Sequence, residues 1–505
     1  MDIRPVKYAD FQTRINRFKV RDVLLRCSTM SNWADGFPPG KALIQARMAD
    51  SSVLKTVVAP SALAFIAKTS LLRSSDNRQR RLTDEEFATL LAMQGELEDP
   101  FVRGDDVDID GFLVRTAWEQ FPLQEANNRM IPRTLMLLKD ANIALGRTPI
   151  DVEAAWEKMT DLSLERFVMV GFGYLSGVWS HGRVSRHLTS REEFAGRVTV
   201  EDCEACLRLI SATYDEFREL SAPYRIDDSM YAKTEFNVLA QRPLIAVGDE
   251  LIAPVPKLLL LRITDGLRYD LREHFREGRA NPFSEYFGKL FEQYTGELLK
   301  WAFGEDKVFP EPAYGKPQKR GPDWVVVDGE MALLFECRTS GLALKSKTIG
   351  DPKQIREDLG RILVDTAVKY PQKVDDLRRG ATGIDVTGVI HFVPIVITYE
   401  PAYVEPILRG LAARELDERA QEYNHIDISN LETLVGWRQG ACSIGQILEQ
   451  WQLTCKINPQ EFGVFLNGWA NEHNLDYRND LLDRRMRVFV EEQLGRPYPP
   501  DPDVE

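Results

Sequence analysis

Cysteine is scarce: the 505 residues hold six, at Cys27, Cys203, Cys206, Cys337, Cys442 and Cys455. They are too few and too scattered for a disulfide framework, so a reducing compartment is expected. The histidines, also six, show no HExxH spacing, and no GxSxG elbow is present, which leaves hydrolases built on those motifs without support. No uncharged apolar run reaches the roughly 20 residues that span a bilayer. The most apolar one, Phe167 to Trp179, contains three glycines and reads as a buried helix. No repeat of fixed period is visible, which argues against a solenoid. Charges interrupt the first twenty residues throughout, unlike a secretory signal. The expected setting is cytoplasmic, with no membrane partner.

What the chain does have is the composition of a globular protein, 44% hydrophobic and 28% charged. A chain this long normally folds around two or three cores. Its 64 basic and 77 acidic side chains give a net charge of −13, which excludes a uniformly basic binding protein. The expected fold class is multidomain, a mostly α-helical N-terminal region followed by an α/β domain with a mixed central sheet.

Residues 1–240 carry helical periodicity in Ser61 to Leu72, Arg133 to Leu145, Ser163 to Trp179 and Thr199 to Leu220, with Asp151, Ser163 and Thr199 as candidate N-caps. Residues 241–280 read as a PLIAV–Gly248-Asp249–ELIAP hairpin and a connecting helix. The next domain, 281–435, predicts a helix at about 283–302, strands at 307–310, 323–327 and 331–338, a helix at 352–369, a strand at 388–398 and a helix at 404–421. Residues 436–505 add a helical segment at roughly 460–494 and a polar tail.

Charge separates these regions. Arg276 to Glu400 holds 18 basic and 19 acidic residues, so nearly the whole acidic excess lies elsewhere. Within that span Lys316, Lys319 and Arg320 precede a central hairpin, and Lys345, Lys347, Lys353 and Arg356 follow it. Such clusters suit phosphate binding without a high overall pI. Lys319, Arg320, Lys345 and Lys347 are the candidate nucleic-acid contacts.

The hairpin is GPDWVVVDGEMALLFECRTSGL, residues 321–342. Asp328-Gly329 predicts a two-residue turn in which Val327 faces Glu330 and Asp323 faces Leu334. Strand alternation then projects Asp323, Leu334, Glu336 and Arg338 from one face. Diagonal cross-strand neighbours lie roughly 7 to 8 Å apart, close enough for the Asp323 and Glu336 carboxylates to share an ion. A hard divalent cation such as Mg²⁺, or Mn²⁺, would relieve their repulsion. In the preceding helix Phe283, Phe287, Leu290, Phe291, Tyr294, Leu298 and Trp301 form a core stripe. Glu292 lies beside it, among Gly288, Thr295 and Gly296, small residues expected to let another backbone come close. It is the candidate third oxygen donor.

A helix with Gly288, Phe291 and Glu292, then Pro322-Asp323, then Glu336-Cys337-Arg338 resembles the PD-(D/E)xK nuclease superfamily, with its restriction-endonuclease-like fold, over roughly residues 280–435. The resemblance implies a metal-dependent endonuclease, acting on DNA more readily than RNA. Asp323, Glu336, the Cys337 carbonyl and Glu292 would hold the metal, and Asp323, Glu336 and Arg338 would be catalytic. Arg338 stands where the family usually has lysine. Arginine stays protonated and cannot serve as a base, so it would offset charge on the phosphate, or Lys345 or Lys347 would supply the ammonium. Expected partners are the nucleic acid substrate and either a second copy of the chain or a phage-derived trigger, with the N-terminal half as sensor or regulator in bacterial defence. The alternative is a non-catalytic nucleic-acid-binding or scaffolding protein that keeps the fold.

Two weaker motifs are set aside. Cys203-x-x-Cys206 has helical periodicity and no second pair at zinc spacing, so it reads as two half-buried helix cysteines. Gly36-Phe-Pro-Pro-Gly40-Lys41 is one residue short of a phosphate loop, its prolines remove donors, and it reads as a turn.

Overall fold

Most of the described residues fold as helices, and several of these start at a side-chain cap, among them those begun by Thr83, Ser163, Thr199, Thr213, Asn281 and Asp351. The computed structural model describes residues 5–36, 58–78, 80–99, 109–278, 280–316, 318–401, 403, 423–439, 443–457 and 461–495. The chain divides into two units: Met1–Leu135 with Val152–His274 and Met486–Glu505, and Met136–Asp151 with Phe275–Arg485. Among the described residues no helix is long and apolar enough to cross a membrane.

The first unit is mostly helical. Pro60–Arg73 is buried almost all round, and Phe11, Trp33, Leu63, Phe65 and Phe217 meet in its core. Leu164–His181 holds the apolar run; Cβ atoms at its Gly171, Gly173 and Gly177 would strike Ile263, Phe194 and Val184, so the glycines admit those neighbours. Ser163 caps this helix through the Arg166 N–H, and Thr199 caps the next through a capping box with Asp202. The single helix expected over Thr199 to Leu220 is two, Val200–Ile210 and Tyr214–Ser221. A second capping box, Thr213 with Glu216, starts the latter after a short strand. Cys203 and Cys206 are fully buried in Val200–Ile210.

Of this unit's sheet the sequence predicted one hairpin and not the two outer strands. Strands β1 (Arg183–Ser185), β2 (Ser211–Ala212), β3 (Leu244–Val247) and β4 (Glu250–Ile252) lie in the order β1-β4-β3-β2. The β3–β4 hairpin has the expected register, Val247 opposite Glu250 across Gly248-Asp249. The single connecting helix expected after it is broken into Pro256–Ile263 and Leu267–His274.

The second unit is built on a mixed five-stranded sheet, β11-β10-β9-β8-β5. Its strands are β5 (Val308–Pro310), β8 (Trp324–Asp328), β9 (Met331–Arg338), β10 (His391–Thr398) and β11 (Asn424–Asp427), while β6 (Ala313–Tyr314) and β7 (Lys319–Arg320) form a separate small hairpin. β9 runs antiparallel to β8 and parallel to β10. Helix α1 (Pro282–Phe303) starts at the Asn281 cap and buries most of the expected stripe; Trp301 is only half-buried, and Phe303 closes the stripe instead.

The central hairpin differs from expectation in register. Asp328 faces Met331 and Trp324 faces Phe335, so the turn is Gly329-Glu330 and not Asp328-Gly329. Gly329 has φ of 63°, while Glu330 is not among the residues with positive φ. That pattern fits a turn with glycine at its first central position, whereas the expected turn needs positive φ at both. Asp328 is instead held by Lys307 at 2.9 Å and Arg438 at 3.3 Å.

Beyond β9, the expected helix at 352–369 is α2 (Pro352–Leu359), a π-helical turn at Gly360–Val364 and a short continuation at Asp365–Ala367. Helix α3 (Tyr370–Arg378) follows directly and was not anticipated. The helix expected at 404–421 lies outside the described residues, as do most of the Gly36–Lys41 motif, Cys442 and the tail after residue 495. The C-terminal segment comprises Ile444–Ile457, Phe462–His473 and Asp480–Leu494, the first of them also unanticipated.

Candidate functional site

Shifting the register by two residues preserves strand parity, so the same side chains share a face. It also sets Asp323, one residue before β8, opposite Glu336 and not opposite Leu334. The Asp323 carboxylate accepts the Cys337 backbone N–H at 2.7 Å, which ties the start of one strand to the end of the next. Glu336 is 3% exposed. Its Oε2 accepts from Arg338 at 3.2 Å, and its Oε1 is ion-paired with Lys373.

Arg338 is turned into the site. Its Nε donates to Thr366 Oγ1 at 2.9 Å and another guanidinium N–H donates to the Cys337 carbonyl at 2.9 Å. Arg338 therefore holds two of the expected ligand groups, Glu336 and the Cys337 carbonyl. Thr366 reaches it from the turn after the π-helical segment. Tyr370, fully buried, donates to the carbonyls of Ile395 at 2.7 Å and Leu334 at 3.4 Å, packing α3 against the sheet.

A tryptophan ties the Glu292 backbone to β8. Trp324 Nε1 donates to the Glu292 carbonyl at 2.8 Å, and a Cβ on Gly296 would fall on the Trp324 indole. The small residues of α1 thus admit a side chain from β8, and not the backbone that was expected. Burial, then Glu311, then Glu336 push the Glu292 carboxyl above its ordinary pKa, while Arg338 pulls it down.

Asp323 is the most perturbed of the three. Burial first, then the Glu336 and Glu292 carboxylates, raise its pKa to about 7, against the opposing Cys337 N–H and Arg338. The donor set suits a hard cation: oxygen atoms, low exposure and a surplus of negative charge. As the side chains stand, no group of three His, Cys, Asp or Glu among the described residues is arranged to hold a metal ion. Both Glu336 oxygens are engaged by Lys373 and Arg338.

Lys373 is the residue that sequence reasoning missed. It lies in the Tyr-Pro start of α3, and proline early in a helix was the signal that could have marked the element. Its ammonium also donates to the Gly321 carbonyl at 2.7 Å. Neither Lys345 nor Lys347 supplies that ammonium: Lys345 is exposed, and Lys347 pairs with Glu400 at 2.7 Å.

Of the basic residues before the hairpin, Lys319 and Arg320 form β7, while Lys316 lies in the turn before it. Lys319 pairs with Asp376 of α3 at 3.2 Å, and Arg320, 80% exposed, lies 3.5 Å from Glu311. Asp376 also accepts from Tyr314, Gln372 and Arg379. Burial opposes its ionisation, but the hydrogen bonds from Gln372, Tyr314 and Lys319 outweigh that and hold its pKa at about 2. This one carboxylate fastens the β6–β7 hairpin to the helix that carries Lys373. No protein-family profile matches the chain, and no relative was found among curated proteins.

Proposed function

We propose that this protein is a metal-dependent endonuclease that hydrolyses phosphodiester bonds of nucleic acid, DNA more readily than RNA. The observation that carries the reading is Asp323 set opposite Glu336 across β8 and β9, with Arg338 on Glu336 and Glu292 near enough for its charge to act on both. Acids that crowd each other, Glu336 buried and Asp323 and Glu292 half-buried, are what a bound Mg²⁺ or Mn²⁺ would neutralise. Asp323, Glu336 and Glu292 would hold the ion, with the Cys337 carbonyl. When bound, such an ion lowers the pKa of its water and offsets charge on the phosphate. Arg338, permanently charged, orients Glu336 and the Cys337 carbonyl and adds a donor fork for phosphate oxygens. Arg320 and Lys345, both exposed, and Lys319 would contact the nucleic-acid backbone. Restraint of the enzyme by the N-terminal unit, as in defence against phage, belongs to the same proposal and is carried by the resemblance alone.

A second reading has one observation in its favour. Both Glu336 oxygens are satisfied by cations of the chain itself, as they would be in a nucleic-acid-binding or scaffolding protein that keeps the fold without cutting. Cleavage of plasmid, single-stranded DNA and RNA in Mg²⁺, Mn²⁺ or EDTA separates the two. The enzyme reading expects cleavage that EDTA stops, and a loss of at least about a hundredfold in Asp323→Ala and Glu336→Ala. Activity that survives EDTA or both substitutions would exclude this site.

A further inference from the structure

The first unit gathers charge at a place that the proposed function does not use. Lys68 comes from the helix Pro60–Arg73, Arg115 and Glu119 from the helix Ile109–Glu125, and Lys233 and Glu235 from the turn that follows the short helix Ser229–Tyr231. Lys68 is 2% exposed and fastens the turn: its ammonium donates to the carbonyls of Ala232 at 2.8 Å and Glu235 at 3.1 Å and lies 3.4 Å from the Glu235 carboxylate. Arg115 is 3% exposed, pairs with Asp99 through both terminal nitrogens, and sets its guanidinium 5.6 Å from the centre of the Tyr231 ring. Glu119 follows Arg115 by one helical turn and Lys233 lies just past Tyr231, so those contacts bring Glu119 and Lys233 to the same place. Yet among the described residues neither makes a hydrogen bond or an ion pair, although each is the strongest opposite charge acting on the other.

Both side chains are half-buried. Burial raises the pKa of Glu119 to about 7 and lowers that of Lys233, in each case against the attraction of the other. Charges drawn out of water and held out of contact are costly unless a group of opposite sign meets each one. We propose that Glu119 and Lys233 bind a free α-amino acid, its ammonium against Glu119 and its carboxylate against Lys233. A zwitterion completes both half-pairs with charge-assisted hydrogen bonds, whereas a simple anion or cation completes only one. The Lys68–Glu235 and Arg115–Asp99 pairs are the frame that holds the two charges apart. The inference is independent of the nuclease reading and gives the first unit a ligand of its own.

Calorimetry on the full chain tests this, with each proteinogenic amino acid as titrant and with sodium acetate and ethylamine as probes that carry one charge each. At least one amino acid is expected to bind with a Kd below about 1 mM, and the single-charge probes at least about tenfold more weakly than it does. Glu119→Gln and Lys233→Gln keep a hydrogen-bonding side chain and remove one charge apiece, and each is expected to weaken that amino acid at least about tenfold. If no amino acid reaches that affinity, the proposal is overturned. Acetate or ethylamine bound as tightly as the best amino acid also overturns it, as does an affinity that either variant leaves unchanged. Should Lys233→Gln melt well below wild type, Lys233→Met is judged by the same criterion.

Discussion

Single residues in this protein are held in charge states that folding imposes. Glu119, in the helix Ile109–Glu125 of the first unit, is one case: burial raises its pKa to about 7, against the pull of Lys233, Lys68 and Arg115. Because its folded value lies above its unfolded one, the stability it gives is complete below about pH 4.5 and is lost as pH rises through 7. Glu119→Gln removes that dependence. The variant is therefore expected to match or fall below wild type near pH 4.5 and to exceed it at pH 8, by on the order of 2 kcal/mol given the residue's partial exposure. Thermal melts across that range check the sign. At the candidate site, legibility followed proximity in sequence. Asp323, Glu336 and Arg338 share a face because of strand alternation, which survives a two-residue error in the turn. Lys373, brought to Glu336 from 37 positions away, obeys no local period and could not be read.

Elements were legible where capping or alternation is strong. The strand Met331–Arg338 and the β3–β4 hairpin fall where expected. Helix α3 was missed because its approach, a π-helical turn and Lys369, looks like the fraying end of one long helix. The sheet position of β11 was also hidden, since parallel pairing with β10 is non-local. The glycines of α1 make a paired prediction. At Gly296 a Cβ would meet the Trp324 indole, whereas at Gly288 its nearest neighbour would be Thr339 Oγ1 at 4.0 Å. Gly296→Ala is expected to lose about 1–2 kcal/mol, overpacking set against improved helix propensity, while Gly288→Ala is neutral or gains up to about 1 kcal/mol. Urea denaturation of the two variants measures both, and a loss at Gly288 equal to that at Gly296 would contradict the packing described.

For the whole molecule, a charge of −13 does not forbid a nucleic-acid partner, because the span from Arg276 to Glu400 is nearly balanced and its cations are clustered. Binding is expected to weaken with salt, and Arg320→Ala and Lys345→Ala are each expected to reduce the slope of log K against log salt by about 1. Fluorescence anisotropy of a labelled oligonucleotide across a KCl series reads that slope; a slope unchanged by both variants would place the contact elsewhere. The division of the chain was only partly legible from composition, since residues 136–151 join the second unit across more than a hundred residues of the first. The facing of Asp323 and Glu336 has a consequence for how such a chain can drift over generations. Twelve residues separate the two acids. Gaining or losing one of them would swing Glu336 and Arg338 onto the opposite surface, while a pair added at the Gly329-Glu330 bend would leave them in place. Hairpin length, counted in twos, is thus what the facing of the two acids depends on.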